Sequence, residues 1–332
     1  MNQELLPYPS LKEIRETAER LHGRVLETPV WPWQAGVIAG MAPHTEVWLK
    51  LELWQQTGTF KARGALNSID ALPAEQRQRG VVTVSAGNHA IALAYAAAQA
   101  GISARVVMPE SASPARIATC RKLGAEVELV SDVHVAFARC REIEAREGRT
   151  LVHPFEGPRV AEGTGTVGLE MVQQMPDLDA VIVPVGGGGL IAGVAAAIKQ
   201  VRPGCRVFGV EPWGADSMYR SLAAGEPVQL ERVDTIADSL GAPLAMPYSF
   251  GVCQRFVDEV VRVSDDQLCQ AMWHLFNDMK LVTEPATAAG TAALLGPLRE
   301  RLEGSRVGIV LCGANTDHER FHQCLQRGRG SI

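Results

Sequence analysis

The sequence predicts an α/β fold made of two lobes, each an open, twisted, mostly parallel sheet with helices on both faces. Three observations carry that prediction. Short β-branched runs alternate with longer helical patterns along most of the 332 residues. Glycines fall where those helices should stop. The polar and glycine-rich segments follow strands, which is where α/β proteins place their ligands.

In the first series, residues 81–84 ("VVTV") read as a strand, 88–100 as a helix stopped by Gly101, and 104–108 ("ARVVM") as a strand. A helix over 114–123 stops at Gly124, "EVELV" is a strand, and a helix over 135–147 closes at Gly148 before the strand "TLVH". The second series has a strand over 180–185, a helix over 190–201, a strand over 206–211, a helix near 267–279 and a strand over 307–312. Two such series imply a ligand cleft between lobes, outside the carboxyl ends of the strands.

Composition narrows the function. At 46% hydrophobic and 21% charged residues the chain can bury a large core, and its net charge of -5 argues against a nucleic-acid partner. The opening "MNQELLPYPSLKEIRETAER" is charged and amphipathic without a signal core, and no apolar run has membrane length. A cytoplasmic protein without a membrane partner is expected. Seven scattered cysteines without a C-x-x-C pair fit reduced thiols.

Chemistry is sought in the loops. In "QQTGTFKARGA", Lys61 sits between Phe60 and small residues at a helix start, the setting in which a desolvated lysine becomes an imine-forming nucleophile. The plainer alternative is a solvated lysine, with Arg63 on the same exposed face. "PVGGGGLIAG" runs from a strand through Gly186, Gly187, Gly188 and Gly189 into a helix, so bare N–H groups can wrap a phosphate. The same glycines, with Glu211 at the end of the next strand, also imitate a dinucleotide fingerprint, which keeps an NAD-dependent dehydrogenase open. In "VSAGNHA", Ser85, Gly87, Asn88 and His89 open a helix and suit a carboxylate, although helix capping explains Ser85 or Asn88 equally. Cys312 ends the last strand in "IVLCGANTD", and Asp238, Ser239 and Gly241 form a further turn. "HERFH", residues 318–322, satisfies a zinc-protease pattern but lies almost at the C-terminus and reads as an exposed final helix. A non-catalytic phosphate-binding protein leaves the lysine segment unexplained.

Taken together and in this order, "TGTFKARGA", "SAGNHA", "GGGGLIAG" and "CGAN" resemble pyridoxal-phosphate enzymes of fold type II, in the serine/threonine dehydratase branch that includes serine racemase. The resemblance implies a large cofactor-binding lobe from residues 1–75 and 158–332, and a small lobe, 76–157, carrying the carboxylate loop. It implies that Lys61 bonds covalently to pyridoxal 5'-phosphate, that Phe60 shields it and that Asn88 hydrogen-bonds the ring oxygen. Gly186, Gly187, Gly188 and Gly189 would take the phosphate, and Cys312 would face the pyridine nitrogen. Ser85, Gly87, Asn88 and His89 would receive the substrate carboxylate, with Ser239 in the pocket where many relatives carry glycine. The implied reaction is dehydration and deamination of an L-β-hydroxy amino acid such as threonine or serine, or a bulkier one, to a 2-oxo acid and ammonia. Racemases of this branch carry a serine where this chain has Ala86, which leans the reading towards elimination. A divalent or monovalent cation stays open, because Glu211 and Ala215 fit a site found in some relatives while its third position is Ser217, beside Asp216. A homodimer is expected, and the regulatory domain of biosynthetic threonine deaminases is not.

Overall fold

A computed structural model describes residues 7–330. Residues 1–6, part of the charged opening stretch, and 331–332 lie outside the described residues; from Leu11 on that stretch forms the helix Leu11–Leu21, started by a Ser10–Glu13 capping box.

Ten strands follow in the order β1 (Val30–Trp33), β2 (Glu46–Lys50), β3 (Val81–Val84), β4 (Ala104–Pro109), β5 (Glu126–Val130), β6 (Thr150–Leu151), β7 (Ala180–Pro184), β8 (Arg206–Pro212), β9 (Glu259–Val263) and β10 (Arg306–Val310). They form a six-stranded sheet in the order β1-β2-β10-β7-β8-β9 and a four-stranded sheet in the order β5-β4-β3-β6. Every pairing is parallel except β1 with β2.

The apolar runs explain why both faces are covered. All residues of β3 and β7 are buried, as required of parallel strands packed on two sides. Along β7, Ala180 and Ile182 enter one core while Val181 and Val183 enter the other, the period of two that a strand imposes. The helix Asp265–Met279 packs on the first face, and the helices Pro158–Gln174 and Gly189–Val201 on the second. In the smaller sheet, the helices Asn88–Ala100 and Val133–Glu147 take opposite faces.

Most expected elements stand within a few residues of their anticipated limits, helped by stops such as Gly101, which takes the left-handed conformation at φ 66°. Three differ. The helix expected near 267–279 begins at Asp265 because Ser264 and Gln267 close a capping box. The last strand ends at Val310, leaving Leu311 and Cys312 in the following loop. The strand "TLVH" pairs only over Thr150–Leu151. Strands β1, β2 and β9 and the helix Pro158–Gln174 were not anticipated; in "VWPW" Pro32 masks the strand, and it is tolerated because β1 is an edge.

Candidate active site

The loops after β3, β7 and β10 converge on one cavity of about 430 Å³ lined by Phe60, Lys61, Asn88, the four glycines and Cys312. A larger cavity of about 570 Å³, beside the final helix His318–Gly330, lies away from all of these groups.

Lys61 is the first residue of the helix Lys61–Asp70. Its approach is fixed by pairing with a distant loop: Phe60 N donates to Cys312 O at 3.2 Å, and Ala314 N to Gly58 O at 3.0 Å. The ammonium donates to Pro154 O at 2.6 Å and stands 5.1 Å from the Phe60 ring centre. Burial pulls its pKa down to about 8, although Cys312 and Glu284 oppose the shift. Its place at a helix N-terminus pushes in the same direction as burial. The exposed-face reading of Arg63 is wrong. Arg63 is fully buried, with Nε 2.9 Å from Glu52 Oε2 and Nη1 2.9 Å from Thr166 Oγ1, and it also pairs with Glu170. A guanidinium two residues from Lys61 therefore points away from the cavity into a charge cluster that local sequence gave no sign of.

After β3, Ser85 Oγ accepts from Gly87 N at 3.2 Å, and Asn88 opens the helix Asn88–Ala100. Asn88 Nδ2 donates to Glu284 Oε1 at 2.9 Å and lies 3.3 Å from Ser239 Oγ, while Asn88 Oδ1 accepts from Asn315 Nδ2 at 2.8 Å. The His89 ring is held on Val152 O at 2.9 Å and, through burial first and then the Lys61 charge, has its pKa lowered to about 3. It is a neutral local partner, so any service to a carboxylate comes from its backbone.

The glycine loop is tight for a physical reason. A Cβ at Gly187 would stand 2.3 Å from the Phe155 ring, and Gly188 has φ +90°. No side chain fits between the loop and Phe155, and the helix Gly189–Val201 aims its positive end there. Cys312, 4% exposed, lies 3.3 Å from Thr287 Oγ1, and burial, with the Glu284 charge behind it, pushes its thiol up to about 12. At neutral pH it is a thiol and not a thiolate.

Other sequence candidates are resolved elsewhere. Glu211 is fully buried and accepts from Met218 N at 2.9 Å and Tyr219 N at 2.7 Å, so it is not free for a ribose as the dehydrogenase reading requires. Asp216 is engaged by Arg220 and Arg262, and the buried Ser217 hydroxyl has no hydrogen-bond partner. Among the described residues no group of three His, Cys, Asp or Glu could hold a metal ion. His318 and His322 stack 6.2 Å apart on an exposed helix face. Sequence reasoning missed Glu284, Phe155 and Arg116 in the cavity wall. The acid in "VTEPATAAG", isolated among small and apolar residues, was the available signal for Glu284.

A lysine with a lowered pKa, a cradle closed to side chains at a helix N-terminus, and a neutral donor beyond the last strand share one cavity. They fit an aldehyde, an anionic phosphate and a pyridine nitrogen, the three handles of pyridoxal 5'-phosphate. The fold and site thus define a fold type II pyridoxal-phosphate enzyme. Comparison agrees: the family model described as "Pyridoxal-phosphate dependent enzyme" matches residues 23–313, and the chain belongs to that family.

Within the family, the chain is 51% identical over 320 residues to a phenylserine dehydratase of Ralstonia pickettii, covering 96% of this chain and 97% of that protein. It is 40% identical over 320 residues to an L-threonine ammonia-lyase of Thermotoga maritima, covering 96% of this chain and 79% of that one. The maize serine racemase structure superposes with a TM-score of 0.90 at 34% identity, covering 98% of this chain and 99% of that one.

Proposed function

We propose that this enzyme dehydrates and deaminates an L-β-hydroxy amino acid bearing an aryl group, of the 3-phenylserine kind, to a 2-oxo acid and ammonia. β-Elimination from a β-hydroxy amino acid is the reaction that the dehydratase and ammonia-lyase names of the two sequence relatives share. The aryl preference rests on the apolar Phe137, Pro109, Leu240 and Leu244 in the cavity lining, and on the 51% identity to a phenylserine dehydratase.

Bound pyridoxal phosphate supplies an electron sink for negative charge developing at Cα. Lys61 would hold the cofactor covalently and, once freed, would take the Cα proton on Nζ; with its pKa lowered to about 8, roughly a tenth of it is unprotonated at pH 7, far more than for an ordinary lysine. Gly186, Gly187, Gly188 and Gly189 would hold the phosphate, and Asn88 would donate to the ring oxygen. Ser85, Gly87 and the N–H groups at Asn88 and His89 receive the carboxylate, with Ser239 beside them. Cys312, neutral, would face the pyridine nitrogen and could not keep it protonated as a carboxylate would. The hydroxyl would leave Cβ with a proton as water, so that the Cα proton and the hydroxyl together make up the water lost, and the freed enamine then takes up water to give the 2-oxo acid and ammonia. Ala86, on the cavity wall, has no proton to return to the opposite face, so two-base racemisation is disfavoured.

The division into residues 1–75 with 158–332 and 76–157 is proposed on the two separate sheets. The helix Lys61–Asp70 straddles them, since Leu66 and Ile69 join the core of the smaller one. A homodimer is proposed on the exposed Trp31 and Trp54. A cytoplasmic location is proposed as well, and no helix among the described residues is long and apolar enough to cross a membrane.

Release of 2-oxo acid from L-threo-3-phenylserine, L-threonine and L-serine tests the reading. We expect kcat/KM for phenylserine to exceed that for threonine by roughly tenfold or more. A preference for threonine removes the aryl assignment, and no product from any of the three removes the reaction.

A further inference from the structure

An asparagine side chain is a donor on one end and an acceptor on the other, and which end faces a ligand depends on its neighbours. Around Asn88 both ends are determined. Asn315 Nδ2 donates to Thr57 O at 2.9 Å, an oxygen that can only accept, and this places the same Nδ2 against Asn88 Oδ1 at 2.8 Å. The Asn88 Nδ2 end then meets Glu284, whose two oxygens lie 2.9 and 3.1 Å away. Glu284 is 2% exposed, and as a carboxylate it can only accept. One hydrogen of the Asn88 amide goes to Glu284. For the second, Ser239 Oγ at 3.3 Å is the competing protein acceptor among the described residues.

We propose that Glu284 is a positioning residue for the dehydration: acting through Asn88, it holds the amide so that its second N–H is directed at the ring oxygen of the cofactor. This rests on the reading in which Asn88 faces that oxygen. Asn88 comes from the loop after β3 in the smaller sheet, whereas Glu284 and Asn315 flank the end of β10 in the larger one. The same contacts therefore tie the two sheets together over the reacting centre.

The hold depends on ionisation, because a protonated Glu284 donates as well as accepts and no longer dictates the orientation of its partner. Burial, seconded by Asp238, raises its carboxyl to about 7 against the hydrogen bonds of Asn88 and Ser239 and the charge of Arg116. Lys61 and Cys312 also face it across the cavity. Ionised Glu284 is the working form, so kcat should fall as pH drops through that region.

The test uses holoenzyme and follows 2-oxo acid formation and the visible cofactor absorption from pH 5.5 to 9, on the order of one to two units either side of the group's pKa. Glu284→Gln should lower kcat roughly 10–100-fold, as removing the outer partner of a site ligand does. It should also flatten the acid limb and the pH dependence of the absorption band. Glu284→Asp, which keeps the carboxylate, should retain the limb. A Gln variant with an unchanged limb and spectrum, whatever its rate, overturns the proposal, as does an Asp variant that loses the limb. A wild type that forms no 2-oxo acid overturns the dehydratase reading itself, and this role with it.

Discussion

Lys61 and Arg63 are two residues apart on one helix, Arg63 fully buried and Lys61 half-buried in the cavity wall, and their surroundings make them opposites. Arg63 meets Glu52 and Glu170 in direct ion pairs, and although burial opposes its charge, the two carboxylates outweigh it and hold its pKa above the usual range. Lys50 enters the same cluster through Glu170. Among the described residues Lys61 meets a carbonyl oxygen and the Phe60 ring but no carboxylate in an ion pair, with Glu284 and Cys312 farther off, and burial wins. Burial with a partner makes a cation into scaffold; burial without one makes it a nucleophile.

The largest expected effect comes from the unpartnered side. Lys61→Ala should abolish the borohydride-trapped cofactor adduct on the corresponding peptide and lower turnover by roughly 10⁴-fold or more, because covalent link and base disappear together. Its melting temperature should stay close to that of the wild-type apoprotein, since no ion pair is broken.

On the partnered side the outcome reverses. Arg63→Met leaves the Glu52 and Glu170 carboxylates without their guanidinium and should lower stability by about 3–5 kcal/mol in urea unfolding. Turnover per folded molecule should change far less than in the Lys61 variant. Near-normal stability of Arg63→Met would end the scaffold reading.

The contrast sharpens with pH. A lysine whose pKa is lowered is protonated and unreactive below that value, so the rate at which apoprotein binds the cofactor covalently should rise with pH and level off above about 8. A rate still climbing at pH 10, near the ordinary lysine value of about 10.4, would mean that Lys61 is solvated. The smallest effect belongs to the apolar cavity lining. Phe137→Ala should lower kcat/KM for phenylserine by about tenfold and leave threonine nearly unchanged, as measured by paired substrate kinetics.

These regions were unequally legible. Helix stops at Gly101 and Gly124, the buried runs of β3 and β7, and the glycine loop were readable because each is a local pattern of a few residues. The buried place of Arg63, for which an exposed face was the plainer alternative, was not legible, since its partners lie 11 and 107 positions away. Glu284 was missed for the same reason: its role lies in contact with Asn88, 196 positions distant, and the isolated acid in "VTEPATAAG" does not by itself say what it touches.

Sequence alone determined most strands and helices of the two alternating series, and it placed Asn88, the glycines and Cys312 after strands and Lys61 at a helix start. Local propensity and hydrophobic period act over neighbouring residues, so they can be read without the fold. Only the tertiary structure decided which buried charges find a partner. Desolvation and Coulomb energy depend on distances through space, and those distances exist only once the two sheets have brought Lys61, Glu284 and Cys312 to one cavity and sent Arg63 to the other side of the same helix.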